Sequence, residues 1–166
     1  MNSLDINHFT ILLHRVKSLP ETQRKLLYIS GHSNETVKKL FYYACSENHS
    51  FGVTKEQCLN YTGIISDFHE YNDVFDLFDS IIYQSITSES AIIGLIMGVA
   101  ENLSTENKET FLNIIDKNIG LNLDIYDLNV ALGLGYWDEW FIEEYNEVLF
   151  KTSKYTHKNK YKELVA

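Results

Sequence analysis

Reaction chemistry needs a side chain that can move a proton, attack or ligate, held beside a second one that tunes it. The six histidines of this 166-residue chain (His8, His14, His32, His49, His69 and His157) are dispersed. No two stand four residues apart, the spacing that would put two imidazoles on one helix face for zinc. His69 beside Glu70, between Asp67 and Asp73, comes nearest to a mixed ligand set, but a solvated, charged helix start accounts for it. Cys45 and Cys58 fit no zinc spacing and read as two buried thiols in a reducing cytoplasm. Asp73, Asp76 and Asp79 recur every three residues, the period of a solvated helix face. Acid and base work would instead need two carboxyls in unequal, buried surroundings. There is no glycine-rich phosphate loop and no strained serine elbow. The residues therefore predict a non-catalytic protein with no metal and no cofactor.

The elements that must position these side chains read as helices. Ile6, Phe9, Leu12, Leu13 and Val16, at spacings of three and four, predict a helix over 5–19. Pro20 suits the first turn of a second helix, which continues over 21–30 until Gly31 ends it. Ser33 or Asn34 caps a third helix with Val37, Leu40, Phe41, Ala44 and Cys45 inward. Thr54 and Gln57 have capping-box spacing, so a helix through Cys58, Leu59 and Tyr61 follows, and Gly63 breaks it. Residues 71–86 predict a longer helix with Val74, Phe75, Leu77, Phe78, Ile81 and Ile82 inward and the three aspartates outward. Thr87 or Ser88 caps the next, over 89–101, which is apolar nearly all round and so must be central. Its Gly94 and Gly98 admit a neighbouring backbone, for tight helix packing or for a homodimer.

Ser104 or Thr105 starts a helix whose last part, 110–117, stops at a left-handed turn near 120–122, where glycine and asparagine bend at least cost. Asp124 then caps a short helix by accepting from the amides of Tyr126 and Asp127. A final helix over 136–150 carries Trp137, Trp140, Phe141 and Tyr145 on one side and Asp138, Glu139, Glu143, Glu144 and Glu147 on much of the other. Residues 151–166 form a lysine-rich tail. With no alternating strand pattern, no repeat and one proline, the fold class is all-α. The expected architecture is a single compact multi-helix bundle of about eight or nine helices over residues 1–150.

Composition sets further bounds. At 45% hydrophobic the chain can bury a core without metal or disulfide staples. The start lacks a charged leader followed by a long apolar run, and the longest apolar run, 91–100, is about half of a bilayer crossing. The expectation is a cytoplasmic protein with no membrane role. Its charge is bipolar. Residues 1–55 hold seven Lys/Arg and four Asp/Glu, net +3; residues 56–150 hold two Lys and eighteen Asp/Glu, net −16; residues 151–166 hold five Lys and one Glu, net +4.

Two stretches together carry a family likeness. The helix, turn and capped helix over 109–133, with Lys117, Ile119, Ile125 and Asn129 in register, resembles the closing element of the helical N-terminal DNA-binding domain of viral, bacteriophage-type ATP-dependent DNA ligases. Asn118 stands where that pattern has an acid and Val130 where it has a lysine. The run 33–53, a capped apolar helix leading to Ser50, Phe51 and Gly52, resembles the same domain. The likeness covers roughly residues 20–133 and omits the catalytic unit. The family's adenylated lysine heads a Lys-x-Asp-Gly motif, and the nearest approach here, Lys117-Asn118-Ile119-Gly120, lacks the acid. Ligation by this chain alone is therefore not expected.

The resemblance implies one function and the charge another. By position in the family pattern, Lys117 and Asn129 would contact DNA, Ser50 and Gly52 would donate from their loop, and Arg24, Lys25, Lys38 and Lys39 would add phosphate contacts. A surface that gathers phosphates wants clustered cations, however, and the region after Glu56 is strongly acidic. The favoured expectation is an acidic interaction protein, phage-encoded on its composition, that kept the scaffold and binds a protein of nucleic-acid metabolism or defence, in the manner of a DNA mimic. Trp137, Trp140 and Tyr145 would be the anchors and Asp73, Asp76 and Asp79 the acidic face.

Overall fold

Most helix starts in this chain are marked by Ser, Thr, Asp or Asn, and the computed structural model puts these side chains to that use. It describes residues 3–47, 49–66, 73–83, 86 and 88–133. Among them are eight α-helices and no strand. They are α1 (Ser3–Ser18), α2 (Thr22–His32), α3 (Glu35–Cys45), α4 (Lys55–Leu59), α5 (Val74–Ile82), α6 (Glu89–Ala100), α7 (Thr105–Ile115) and α8 (Ile125–Leu132). Asn34 accepts the Val37 amide, Asp73 that of Asp76, Ser88 that of Ala91, Ser104 that of Asn107 and Asp124 that of Tyr126. Thr54 and Gln57 close a full capping box on α4. Each cap satisfies an amide that the helix leaves without a partner, worth about 1 kcal/mol. At α2 the N-cap residue, Glu21, makes no side-chain cap bond.

The bundle is built on α1 and α7, which pack on each other. Helix α1 also meets α2 and α3, α7 also meets α3, α4 and α6, and α8 lies on α2. Phe9, Phe41, Phe51, Phe78 and Phe111 are among the largest fully buried side chains. Phe9 meets Phe41 edge to face at 4.9 Å, Phe51 meets Phe78 at 5.0 Å, and Phe78 stacks on Phe111 at 5.9 Å. Tyr43 of α3 meets Phe78 at 5.1 Å and joins the two groups, and with each buried ring contributing about 1.5–3 kcal/mol these contacts tie α1, α3, α5 and α7 into one core. The nearly all-apolar α6 is buried from Ile92 to Ala100, as its composition requires.

The structure moves several expected boundaries. Pro20 precedes α2 rather than opening it, and Gly31 stays helical, with the stop at the extended Ser33. Helix α4 ends at Leu59, short of Tyr61. Helix α5 is shorter than 71–86 because Asp73 caps it instead of riding on its face. The backbone that approaches Gly94 and Gly98 is not a helix but the irregular segment 64–66 of the same chain: a Cβ on Gly98 would stand 2.0 Å from the Ser66 carbonyl oxygen, and one on Gly94 2.8 Å from that of Ile64. That face is thus filled from within and is not open to a second copy. The expected helix over 136–150 and the tail lie outside the described residues.

Candidate functional site

Helix α7 ends in a turn that ordinarily demands glycine. Asp116 is its C-cap, the Lys117 amide donates to the Ile114 carbonyl and the Asn118 amide to the Asn113 carbonyl. This double closure needs a left-handed residue, and Lys117 supplies it at φ 56°. A side chain there costs about 1–2 kcal/mol relative to glycine, so it must recover something elsewhere. It does. The Lys117 ammonium donates to the Tyr43 carbonyl at 3.0 Å and lies 5.9 Å from the centre of the Phe51 ring. The turn then runs on through Gly120 at φ 72° and Asn122 at φ 53° to the Asp124 cap. Along it Ile119 and Leu121 are buried while Asn118, Gly120, Asn122 and Asp124 face outward. A cleft of about 470 Å³ opens beside it, with Cys45, Glu47, Lys117, Asn118, Asn122 and Asp124 among its lining.

Below Lys117 lies His49, buried among Tyr42, Tyr43 and Phe51. Burial, and then the Lys117 charge, lower its pKa to about 4, against a hydrogen bond to the Tyr43 backbone, so the imidazole is neutral at physiological pH. Tyr43 donates its hydroxyl to Asp79 at 2.6 Å, and burial, then that carboxylate, raise the phenol well above its usual range. Burial and the Asp116 charge push the Cys58 thiol up to about 11, which leaves it protonated and unreactive. Neither cysteine is in a disulfide, and no group of three or more His, Cys, Asp or Glu converges among the described residues.

Of the residues expected to bind DNA, Lys117 stands by the loop of Ser50 and Gly52, its ammonium 5.9 Å from the Phe51 ring centre. Lys117 is half-buried and turned inward. Asn129 is only 2% exposed, and its Oδ1 has no partner among the described residues, so it is not available to a duplex as placed. Ser50 Oγ accepts the Gly52 amide, so that loop donor is used internally. Arg24 pairs with Glu21 on α2, where Lys25 is half-buried. On α3, Lys38 is half-buried and the Lys39 ammonium lies 5.3 Å from the Phe75 ring centre. Lys17 reaches the turn, its Nζ 3.6 Å from where a Cβ would stand on Gly120.

The acids are also differently employed. Of the eleven Asp and Glu described between 56 and 133, seven cap a helix or sit in its first turn: Glu56, Asp73, Asp76, Glu89, Glu106, Asp124 and Asp127. The other four have partners: Asp79 accepts the Tyr43 hydroxyl, Asp116 the Lys55 amide, Glu101 pairs with Lys108 and Glu109 with Lys55. The period of Asp73, Asp76 and Asp79 is therefore one cap, one first-turn acid and one buried-side acceptor, with only Asp76 fully outward. Trp137, Trp140 and Tyr145 lie outside the described residues.

A feature that sequence reasoning missed stands at the end of α4 and in the segment after it. Leu59 is 55% exposed, Ile64 84% and Ile65 49%. They are not loose. The Tyr61 hydroxyl donates to the Ile64 carbonyl, the Ser66 amide donates to the Gly94 carbonyl, and the two glycines of α6 take the backbone against the helix. Two consecutive isoleucines ordinarily signal core, and nothing in their own spacing marks them as exposed. No helix among the described residues is long and apolar enough to cross a membrane. Neither the family models, nor the curated proteins, nor the solved structures contain a match to this chain.

Proposed function

We propose that this chain is a non-catalytic acidic interaction protein whose partner is another protein, one of nucleic-acid metabolism or defence on the strength of the ligase-like pattern. The observation that carries the reading is the pinned apolar surface at Leu59, Ile64 and Ile65. A rigid aliphatic knob loses little conformational freedom on contact, which is the property of an interface anchor. The cleft beside Leu59 is lined by Glu56 and Asp116 as well as Lys55, a balance that favours a basic protein surface over nucleic acid. Trp137, Trp140 and Tyr145 are kept as further anchor candidates.

One observation favours a second reading, sequence-independent DNA binding or accessory action beside a ligase or polymerase. Lys17 and Lys117 both approach the turn at Gly120, and a duplex meeting that turn would find two cations and the outward Asn118 and Asn122. Fluorescence anisotropy with a nicked duplex at low salt separates the two. The interaction reading expects no binding in the micromolar range. Tight binding that weakens steeply with salt and is lost in Lys17→Glu would replace it with the second.

A further inference from the structure

We propose that the outer face of α2 is the docking site for this chain's own segment 136–150, which lies outside the described residues, with Trp137, Trp140 and Phe141 set over Leu27 and carboxylates of the segment answering Arg24. Docking of this kind is independent of any partner. The receiving face belongs to one regular helix, so its members share it by geometry. Ile29 is the buried residue of α2. Leu27, two positions earlier, is turned about 200° from it, away from the core, and is 73% exposed. Arg24 and Gly31 stand about one turn to either side of Leu27 on the same stripe. Arg24 is exposed, and a Cβ on Gly31 would meet nothing within 4 Å. Tyr28 and His32, stacked at 3.9 Å, flank the stripe.

Path, pattern and charge together name the occupant. Helix α8 lies on α2 and ends at Leu132, so the chain leaves the described bundle from the helix that packs on α2, and only 134 and 135 intervene after Gly133. Trp137, Trp140, Phe141, Tyr145 and Val148 recur at the spacing of one helix face. As a helix the segment would span about 22 Å, enough to run the length of α2 at about 16 Å. Between Thr22 and His32 there are Arg24 and Lys25 and no acid. Arg24 meets Glu21 at 3.8 Å with both side chains about two-thirds exposed, which leaves its charge open to another carboxylate. The eleven acids described after position 56 cap helices, sit in first turns or have partners. Five more, Asp138, Glu139, Glu143, Glu144 and Glu147, stand within 136–150, with no Lys or Arg among them. A second copy of α2 would instead set Arg24 against a like charge, and a basic partner would meet the same repulsion.

The test uses the full chain. Trp137 and Trp140 are its two tryptophans, so intrinsic fluorescence reads this segment alone. The parent is expected to emit at short wavelength and to resist acrylamide quenching at every protein concentration. Leu27→Glu sets a carboxylate beneath the apolar stripe and should shift the docking equilibrium towards release by about tenfold or more. Arg24→Glu should shift it by about twofold to fivefold, and both changes together should give the emission and quenching of exposed tryptophan. At its exposure Leu27 holds little of the bundle, so the fold is maintained, and Ile64→Ser, outside α2, should leave the tryptophan signal unchanged. Long-wavelength, readily quenched emission in the parent overturns the proposal and leaves Trp137 and Trp140 open to a partner, as the interaction reading has them. Buried emission indifferent to the double change overturns it in favour of another site, and protection lost on dilution overturns it in favour of a second copy.

Discussion

Two irregular segments lie on the outside of this bundle, 60–66 after α4 and 117–124 between α7 and α8, and they are fixed by opposite means. The first is held by what is missing: α6 has no side chain at Gly94 or Gly98, so an irregular stretch of backbone can lie against it and bond to the Gly94 carbonyl. The second is held by what is present: a lysine in a glycine's conformation, tethered to Tyr43, with a capped helix after it. The consequence is a difference in what each shows to solvent. The glycine-held strap leaves its aliphatic side chains outside, whereas the turn buries Ile119 and Leu121 and leaves amides and carboxylates outside. One presents aliphatic side chains to solvent and the other a polar edge.

The sharpest way to break that comparison is Gly98→Ala. Its new Cβ would be 2.0 Å from the Ser66 carbonyl oxygen, a backbone atom that can yield only if the strap leaves α6. A loss of about 3 kcal/mol is expected by urea denaturation, with Gly94→Ala costing less because its Cβ would sit at 2.8 Å from the Ile64 oxygen. Gly31→Ala, with nothing within 4 Å and an ordinary helical backbone, should instead gain about 0.5–1 kcal/mol. If Gly98→Ala were as benign as Gly31→Ala, the strap would not be held as described.

Next in size is an acid effect confined to the turn side. His49 titrates near 4 in the folded chain against about 6.5 when unfolded, so the unfolded chain binds the proton more readily between those values. Its contribution is complete above the unfolded value and is lost as pH falls from there through about 4. The loss is on the order of 2–3 kcal/mol. Carboxylates titrate over part of the same range, so the measurement is the difference between the parent and His49→Phe in stability against pH. The variant should show a flatter acid limb, and identical limbs would mean that His49 is not kept neutral by burial beside Lys117.

How much of this was legible beforehand divides along the same line. The turn side was written in local chemistry: Asp124 as a cap, left-handed bends at Gly120 and Asn122, and an all-α bundle read from periodicity and capping residues. Lys117 in the left-handed position was not, because its penalty is offset by a tether to Tyr43, far away in sequence. The strap side was hardly legible at all. Gly94 and Gly98 announced a close approach, but whether the visitor was a helix, a second chain or residues 64–66 depends on tertiary path. The acids were misleading in a similar way, since a three-residue period looks the same whether its members cap a helix, take a tyrosine hydroxyl or face water. Likewise a pattern that puts Asn129 in register says nothing of its burial at 2% exposure.

Smaller effects sharpen the contrast. Gly120→Ala forces an alanine to φ 72° and should cost about 1–2 kcal/mol, and Asp124→Ala removes a cap for about 1 kcal/mol. The smallest change is expected from Ile64→Ser. Replacing an isoleucine in a core would remove several buried methyl groups and leave a hydroxyl without water, which costs several kcal/mol. At 84% exposure neither loss applies, because the side chain has little contact to forfeit and the hydroxyl is solvated at once. Stability should therefore stay within about 0.5 kcal/mol of the parent, while solubility rises as an aliphatic knob leaves the surface. A large destabilisation would mean that Ile64 is packed in solution and that the strap, like the turn, spends its apolar residues on the bundle. A null result fixes the opposite conclusion: the chain maintains an exposed isoleucine that its fold does not use.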